Sequence, residues 1–268
     1  MENNITLKIN NIDLKIPGLR RSYTFLHISD THIAAASPDC TPEEAAMAQQ
    51  RTRFWTPASG ILPETSMQAL LDYAEQIAAD SVFLTGDALD YASDCNIKKI
   101  EELCGSVKVK TVFAYGNHEG DIDGKTFYPR YKNLMGDTPG FQVYDLEDLL
   151  IVSVDDSNGK ISHEQLKAME EQMRRNLPIL LLLHIPVMTE AIAPEVMSGW
   201  GPEFMIGKPE DTEDTRNFCH MISAPHSSVA AIFAGHVHFT HQGEFAPGRM
   251  QYTAAPGFTG YGNKISVL

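Results

Sequence analysis

Cysteine is scarce in this 268-residue chain, and the four present (Cys40, Cys95, Cys104 and Cys219) form no C-x-x-C pair. That argues against a structural thiolate zinc site and makes free thiols in a reducing compartment the expected state. Long apolar runs are missing too: the longest, residues 179–183, is strand-sized, far short of the about 20 residues a membrane-spanning helix needs. The opening Met-Glu-Asn-Asn has no basic stretch followed by an apolar core, so no secretory signal is read and a cytoplasmic protein is expected. Positive charge is also short, with 21 basic against 35 acidic residues, a net −14 and no Lys/Arg cluster. Such a chain is poorly matched to a phosphate backbone, which argues against a nucleic-acid polymer as partner. No repeat, low-complexity tract or linker breaks the sequence, and residues 1–268 read as one domain.

What the chain does have is a set of five short apolar runs, each ending in polar side chains. They are residues 25–32, ending at Asp30 and His32; 82–90, with Asp87 and Asp90; and 112–119, with Asn117, His118 and Glu119. The last two are 180–184, ending at His184, and 231–238, with His236 and His238. Buried parallel strands look like this when they deliver side chains to the carboxyl edge of a sheet, where α/β proteins bind ligands.

Between these runs the periodicity alternates. Residues 64–79 place Met67, Leu70, Leu71, Ala74, Ile77 and Ala78 on one helical face, and a weaker helix is read near 96–104. Ser162 with Gln165 three residues on is a capping box opening a helix to about residue 176, and another helix is read at 215–223. This order implies an α/β fold with right-handed crossovers and largely parallel strands. Residues 141–145 and 149–154 look like paired strands, and the tail like antiparallel ones. Residues 5–16 alternate twice around Asn10-Asn11 and are expected to form an edge hairpin. Three long connections, 34–63, 120–140 and 186–214, lack periodicity and gather Pro, Gly or Asp, as functional loops do.

The spacings at the run ends matter chemically. Asp30 and His32 are two apart, as are His236 and His238, so in an extended segment each pair leaves on one face. Carboxylate, imidazole and amide donors suit Mn²⁺, Zn²⁺, Fe²⁺ or Mg²⁺. Seven candidate ligands (Asp30, His32, Asp87, Asn117, His184, His236 and His238) exceed what one ion needs, so two divalent metal ions are expected.

In order, Asp30-x-His32, Gly86-Asp87-x-x-Asp90, Gly116-Asn117-His118-Glu119, His184 and Gly235-His236-x-His238 resemble the calcineurin-like metallophosphoesterase superfamily. All five of its motifs are present. The resemblance implies a four-layer α-β-β-α sandwich with mixed sheets and a dimetal site at the strand ends. Carried over by position, one ion would sit on Asp30, His32, His238 and a bridging Asp87, and the second on Asp87, Asn117, His184 and His236. His118 matches the residue that contacts the phosphoryl group and helps protonate the leaving oxygen, and Glu119 would orient it.

Departures narrow the class. Asp90 is followed by Tyr91-Ala92, not the Arg-Gly of protein serine/threonine phosphatases. Purple acid phosphatases carry a ferric-binding tyrosine where this chain has Asp90, and Tyr91 falls one residue late. Compact bacterial-type phosphoesterases remain, including cyclic-nucleotide phosphodiesterase-like members. The expected activity is metal-dependent hydrolysis, by an activated water or hydroxide, of a small organic or nucleotide phosphodiester. Phosphomonoesterase activity is the alternative, ahead of a nuclease or a non-catalytic scaffold. Phe54, Trp55, Trp200 and Phe204 in the excursions would either stack on a substrate ring or pack their loops down.

Overall fold

The computed structural model describes residues 5–36, 40–119 and 140–268. Two mixed sheets form its centre. In the first, β1 (Lys8–Leu14), β11 (Tyr261–Val267), β2 (Tyr23–Ile28), β3 (Ser81–Thr85) and β4 (Thr111–Ala114) lie side by side in that order. In the second the order is β5 (Phe141–Asp145), β6 (Leu150–Val154), β7 (Ile179–Leu182), β8 (Val229–Ala234), β10 (Arg249–Thr253) and β9 (His241–Ala246). β2, β3 and β4 run parallel, as do β6, β7 and β8, so their carboxyl ends gather at one edge of each sheet.

Alternation along the strands sorts side chains into layers. Phe25, Phe83, Leu180, Leu182 and Phe233 pack between the sheets. Leu26, Val82 and Leu84 face outward onto Met67, Leu70 and Leu71 of α2 (Pro63–Gln76) and Ile97 and Ile100 of α3 (Asp94–Gly105). On the far side, Val152, Leu181 and Ile232 meet Leu166 and Met169 of helix His163–Met173 and Phe218 and Ile222 of helix Glu213–Ser223. The result is the expected helix–sheet–sheet–helix order. Ser162 and Gln165 cap each other's backbone as expected, a motif whose N-cap alone contributes about 1 kcal/mol.

Three expectations need correction. Residues 5–16 are not a hairpin. β1 is a single edge strand parallel to β11, and Asn10 sits in register with Asn263. Leu7 and Ile9 pack toward α2, whereas Ile12, Leu14 and Ile16 face the inter-sheet core. The shift from odd to even apolar positions is therefore a change of buried face, not a turn. Within residues 34–63, helix α1 (Pro42–Trp55) replaces the expected loop. Its signal was present in the sequence as Thr41-Pro42-Glu43-Glu44, a capping box with proline at the first helical position. Only Ala48 of α1 is buried, so no apolar stripe advertised it. Finally, Cys40 and Cys95 form a disulfide between the residue before α1's N-cap and the first turn of α3, leaving Cys104 and Cys219 free. The connection at 120–140 lies, apart from Gly140, outside the described residues.

Candidate metal centre

The five run ends meet at the carboxyl edges of β2, β3, β4, β7 and β8. Backbone bonds lace the first two turns together: Asp30 N–H donates to Gly86 O at 3.0 Å and His32 N–H to Asp87 O at 2.9 Å. Asp30, His32, Asp87, His236 and His238 all have positive φ, between 45° and 69°. Such backbone is strained for residues with a Cβ, and strain of this kind gathers at functional sites. Two glycines permit the crowding. A Cβ on Gly235 would lie 1.7 Å from Ser29 Oγ, and one on Gly116 would lie 2.2 Å from Asp87 Oδ1.

All seven expected ligands converge. Asp30, His32 and His238 form one cluster, and Asp87, His184 and His236 another. Asn117 joins the second, its Oδ1 3.2 Å from His184 Nε2. Asp87 Oδ2 faces both, 3.4 Å from His184 Nε2 and 3.8 Å from His32 Nε2. Asp30 accepts from the His236 backbone N–H at 3.1 Å and lies 3.2 Å from His238 Nε2, tying the ends of β2 and β8.

The donor set fits cations. His32 Nε2 and His238 Nε2 are 3.2 Å apart, and His236 Nδ1 and His184 Nε2 3.1 Å apart. Imidazole nitrogens that close take either a shared proton or a cation between each pair, and the carboxylates around them favour a cation. His184 Nδ1 lies 2.8 Å from Thr85 O; donating there fixes the tautomer and turns the Nε2 lone pair into the site. Burial opposes charge on His184, yet Asp87, Asp30 and Asp156 push its pKa up to about 10. Burial and the His184 charge press neighbouring His236 down to about 3. The carboxylates around the pair thus favour positive charge at this point.

A third cluster, His32, Asp90 and His118, has the spacing of a metal site but is already neutralised. Arg51 of α1 donates to both Asp90 oxygens, Nε to Oδ2 at 2.5 Å and Nη2 to Oδ1 at 2.7 Å, and Trp55 Nε1 adds a bond to Oδ1 at 2.5 Å. Despite burial, these donors hold the Asp90 carboxyl well below the usual range. His118 Nδ1 is 2.7 Å from Asp90 O and 3.5 Å from Asp90 Oδ1. Burial alone would lower the His118 pKa, but the Asp90 side chain and the Asp87 charge outweigh it and raise it to about 9. The carboxylates around this imidazole therefore favour its protonated form.

Glu119 does not orient His118. Its Oε2 accepts from the backbone N–H of Asp87 at 2.8 Å and of Gly116 at 2.6 Å, and its Oε1 from Leu89 at 2.9 Å. Glu119 is a clamp between the turns after β3 and β4, and Asp90 holds His118. Burial, then the Asp87 charge, raises the Glu119 pKa to about 7. Asp156 is a further anchor at the site. It accepts from His184 N–H at 2.8 Å and Ile185 N–H at 3.0 Å, fixing the turn after β7. Its signal was the same as the others, since residues 150–156 are a sixth apolar run ending in carboxylates.

Aromatic rings wall the centre. Trp55 stacks on His32 with ring centroids 3.8 Å apart, and Phe204 on His236 at 4.5 Å. Trp200 meets His238 edge-on at 5.6 Å and remains 44% exposed. Trp55 and Phe204 thus buttress the imidazoles, whereas Trp200 stays partly open to solvent. The segment carrying Trp200 and Phe204 is pinned by its own small core of Ile192, Val196, Met205 and Val237.

The calcineurin-like phosphoesterase family model matches residues 23–239, and the chain belongs to that family. It is a metallophosphoesterase, a hydrolase. A probable cyclic nucleotide phosphodiesterase from Rhodococcus erythropolis is 26% identical over 243 residues, covering 85% of this chain and 68% of that protein. Among solved structures, a dimetal phosphatase from Danio rerio superposes with a TM-score of 0.59 at 13% identity, covering 88% of each chain. A purple acid phosphatase from yellow lupin seeds gives 0.53 at 14% identity, covering 89% of this chain and 44% of that one. At those identities the structures speak for the shared fold. Among the described residues no helix is long and apolar enough to cross a membrane.

Proposed function

We propose that this chain is a dinuclear phosphodiesterase of small organic or nucleotide substrates. The observation that carries this reading is the pair of ligand clusters sharing one carboxylate, with Asp87 Oδ2 facing His184 on one side and His32 on the other. Asp30, His32, His238 and Asp87 would hold one divalent ion, and Asp87, Asn117, His184 and His236 the other; Mn²⁺, Fe²⁺, Zn²⁺ and Mg²⁺ all suit such donors. Two bound ions supply a water of lowered pKa and neutralise phosphoryl oxygens during in-line displacement.

The polypeptide's own work is orientation and proton transfer. Thr85 O and Asp156 fix His184, and Glu119 fixes the turns that present Asp87 and Asn117. His118, with Nδ1 held by Asp90 O, has Nε2 left to contact the phosphoryl group and protonate the leaving oxygen. The guanidinium described at the site, that of Arg51, is committed to Asp90. Among the described residues no guanidinium at the site is then left for the second negative charge that a phosphomonoester carries near neutral pH. That favours a singly charged diester, in line with the Rhodococcus relative. The acidic balance of −14 supports a small substrate over a nucleic-acid polymer. Placement in the cytoplasm rested partly on free thiols, and the Cys40–Cys95 bond removes that support.

Hydrolysis of bis(p-nitrophenyl) phosphate beside p-nitrophenyl phosphate by Mn²⁺-loaded protein tests the reading. The diester is expected to have the higher kcat/KM by about tenfold or more. A clear preference for the monoester would replace the phosphodiesterase reading with a phosphatase one.

A further inference from the structure

Helix α1 is attached to the protein in an unusual way. It buries one residue, Ala48, so apolar packing contributes little to holding it. Its firm contacts are polar and run to the metal centre. Arg51 and Trp55, one turn apart and therefore on one face, both donate to the Asp90 carboxylate, and the Trp55 ring lies flat on His32. Other ties among the described residues include the Trp55 ring on Phe258 at 5.2 Å, the Thr52 hydroxyl on Ala34 O at 2.5 Å and the Cys40–Cys95 disulfide just before the helix. The opposite wall, by contrast, rests on the apolar cluster of Ile192, Val196, Met205 and Val237.

Asp90 is fully buried at its side chain, with His32 Nδ1 3.7 Å and His118 Nδ1 3.5 Å from its Oδ1. A carboxylate so placed could swing onto either imidazole. Three donors from α1 occupy its two oxygens and leave it one orientation. The backbone carbonyl of the same residue receives His118. Asp90 thus touches α1 through its carboxylate and His118 through its backbone carbonyl.

We propose that Arg51 and Trp55 are positioning residues for phosphoester hydrolysis, acting through Asp90 to aim His118 at the leaving-group oxygen. The inference rests on the metallophosphoesterase reading of the same site. It assigns Arg51 no direct grip on substrate, because Nε and Nη2 are spent on Asp90. Trp55 has two tasks, since its N–H fixes Asp90 and its ring fixes His32. The substitution Trp55→Phe would keep the second and lose the first.

The test compares wild type, R51A, R51K, W55F, D90N and the R51A/D90N double variant on two aryl phosphodiesters, one with a p-nitrophenoxide leaving group and one with phenoxide. Metal content is measured in each. A proton donor matters most when the leaving group is poor. R51A should lose about tenfold in kcat on the p-nitrophenyl ester and about a hundredfold on the phenyl ester, with KM within about twofold and metals retained. W55F should lose about threefold, with the same leaving-group trend, and R51K should fall between wild type and R51A, since lysine cannot replace the bidentate fork. In the D90N background, R51A should add almost nothing, because both act on one group.

An R51A variant with kcat unchanged on the phenyl ester overturns the proposal. So does a raised KM with kcat intact, or a loss that persists in the D90N background, since either assigns Arg51 to the substrate itself. An R51A loss equal on both esters and accompanied by loss of metal would show a merely structural role, which also overturns it. W55F, which retains the ring on His32, decides the case if R51A fails to fold. A wild-type protein that hydrolyses neither ester sinks the underlying reading; an active wild type beside unaffected variants sinks only this inference.

Discussion

Asp87→Asn is expected to lower kcat for phosphodiester hydrolysis by about a thousandfold or more. The substitution keeps the side chain's shape and removes its charge. Asp87 Oδ1 accepts from His118 N–H at 2.9 Å, a bond an asparagine oxygen can keep, so the turn after β4 should survive. Asparagine cannot place an anionic oxygen at the point shared by His184 Nε2 and His32 Nε2. That point favours charge: burial opposes it, yet His184 and His32 hold the Asp87 carboxyl far below its ordinary pKa. Loss of the shared carboxylate should empty at least one metal position at micromolar metal. Steady-state kinetics together with metal analysis of the purified variant reads both effects. A D87N protein within about tenfold of wild type and still holding two metals per chain would contradict the assignment.

His118→Asn should cost about a hundred- to ten-thousandfold in kcat, the range of general acid catalysis, while both metals stay bound. His118 belongs to neither cluster that shares Asp87, and its side chain is 28% exposed, which places it on the open side of the centre. It is held for a different task. Nδ1 faces Asp90 O, and the surrounding carboxylates raise its pKa to about 9, the protonated form a donor to a leaving oxygen requires. The loss should be smallest for p-nitrophenoxide, which departs without help, and should grow as the leaving group becomes more basic. A uniform loss across leaving groups, or loss of metal, would move His118 from proton donor to structural support.

Much of this centre was legible in the sequence because the fold uses one device repeatedly. A buried parallel strand must be apolar along its length and can turn polar only at its end. Asp30, His32, Asp87, Asn117, His184, His236 and His238 therefore announced themselves as interruptions of apolar runs, and the structure gathers all seven. Asp156 follows the same rule, but residues 149–154 read as half of a strand pair with 141–145, which hides the carboxylates at their end.

What stayed hidden lacked a periodic signature. α1 buries a single alanine, so residue spacing could not distinguish it from a loop, and Arg51 and Trp55 gained meaning only once Asp90 lay beneath them. Glu119 shows the limit of adjacency along the chain. Next to His118 in sequence, it points back to bind three backbone N–H groups, because consecutive residues of a tight turn diverge. The Asn10-Asn11 pair looked like a turn since asparagine favours turns, but an edge strand pairing with β11 on one side tolerates both residues, one of them bonded to Asn263. The Cys40–Cys95 bond joins residues 55 apart in sequence, which no local pattern reveals.

The central claim is that two ions sharing Asp87 perform the hydrolysis, and a metal titration tests it most directly. The protein would be stripped with a chelator, then Mn²⁺ added stepwise while bis(p-nitrophenyl) phosphate turnover and bound metal are followed in the same samples. The account expects turnover to be nearly absent in the stripped protein and to reach its plateau only as the second equivalent binds. A plateau at one equivalent, or turnover that survives full removal of metal, would contradict it.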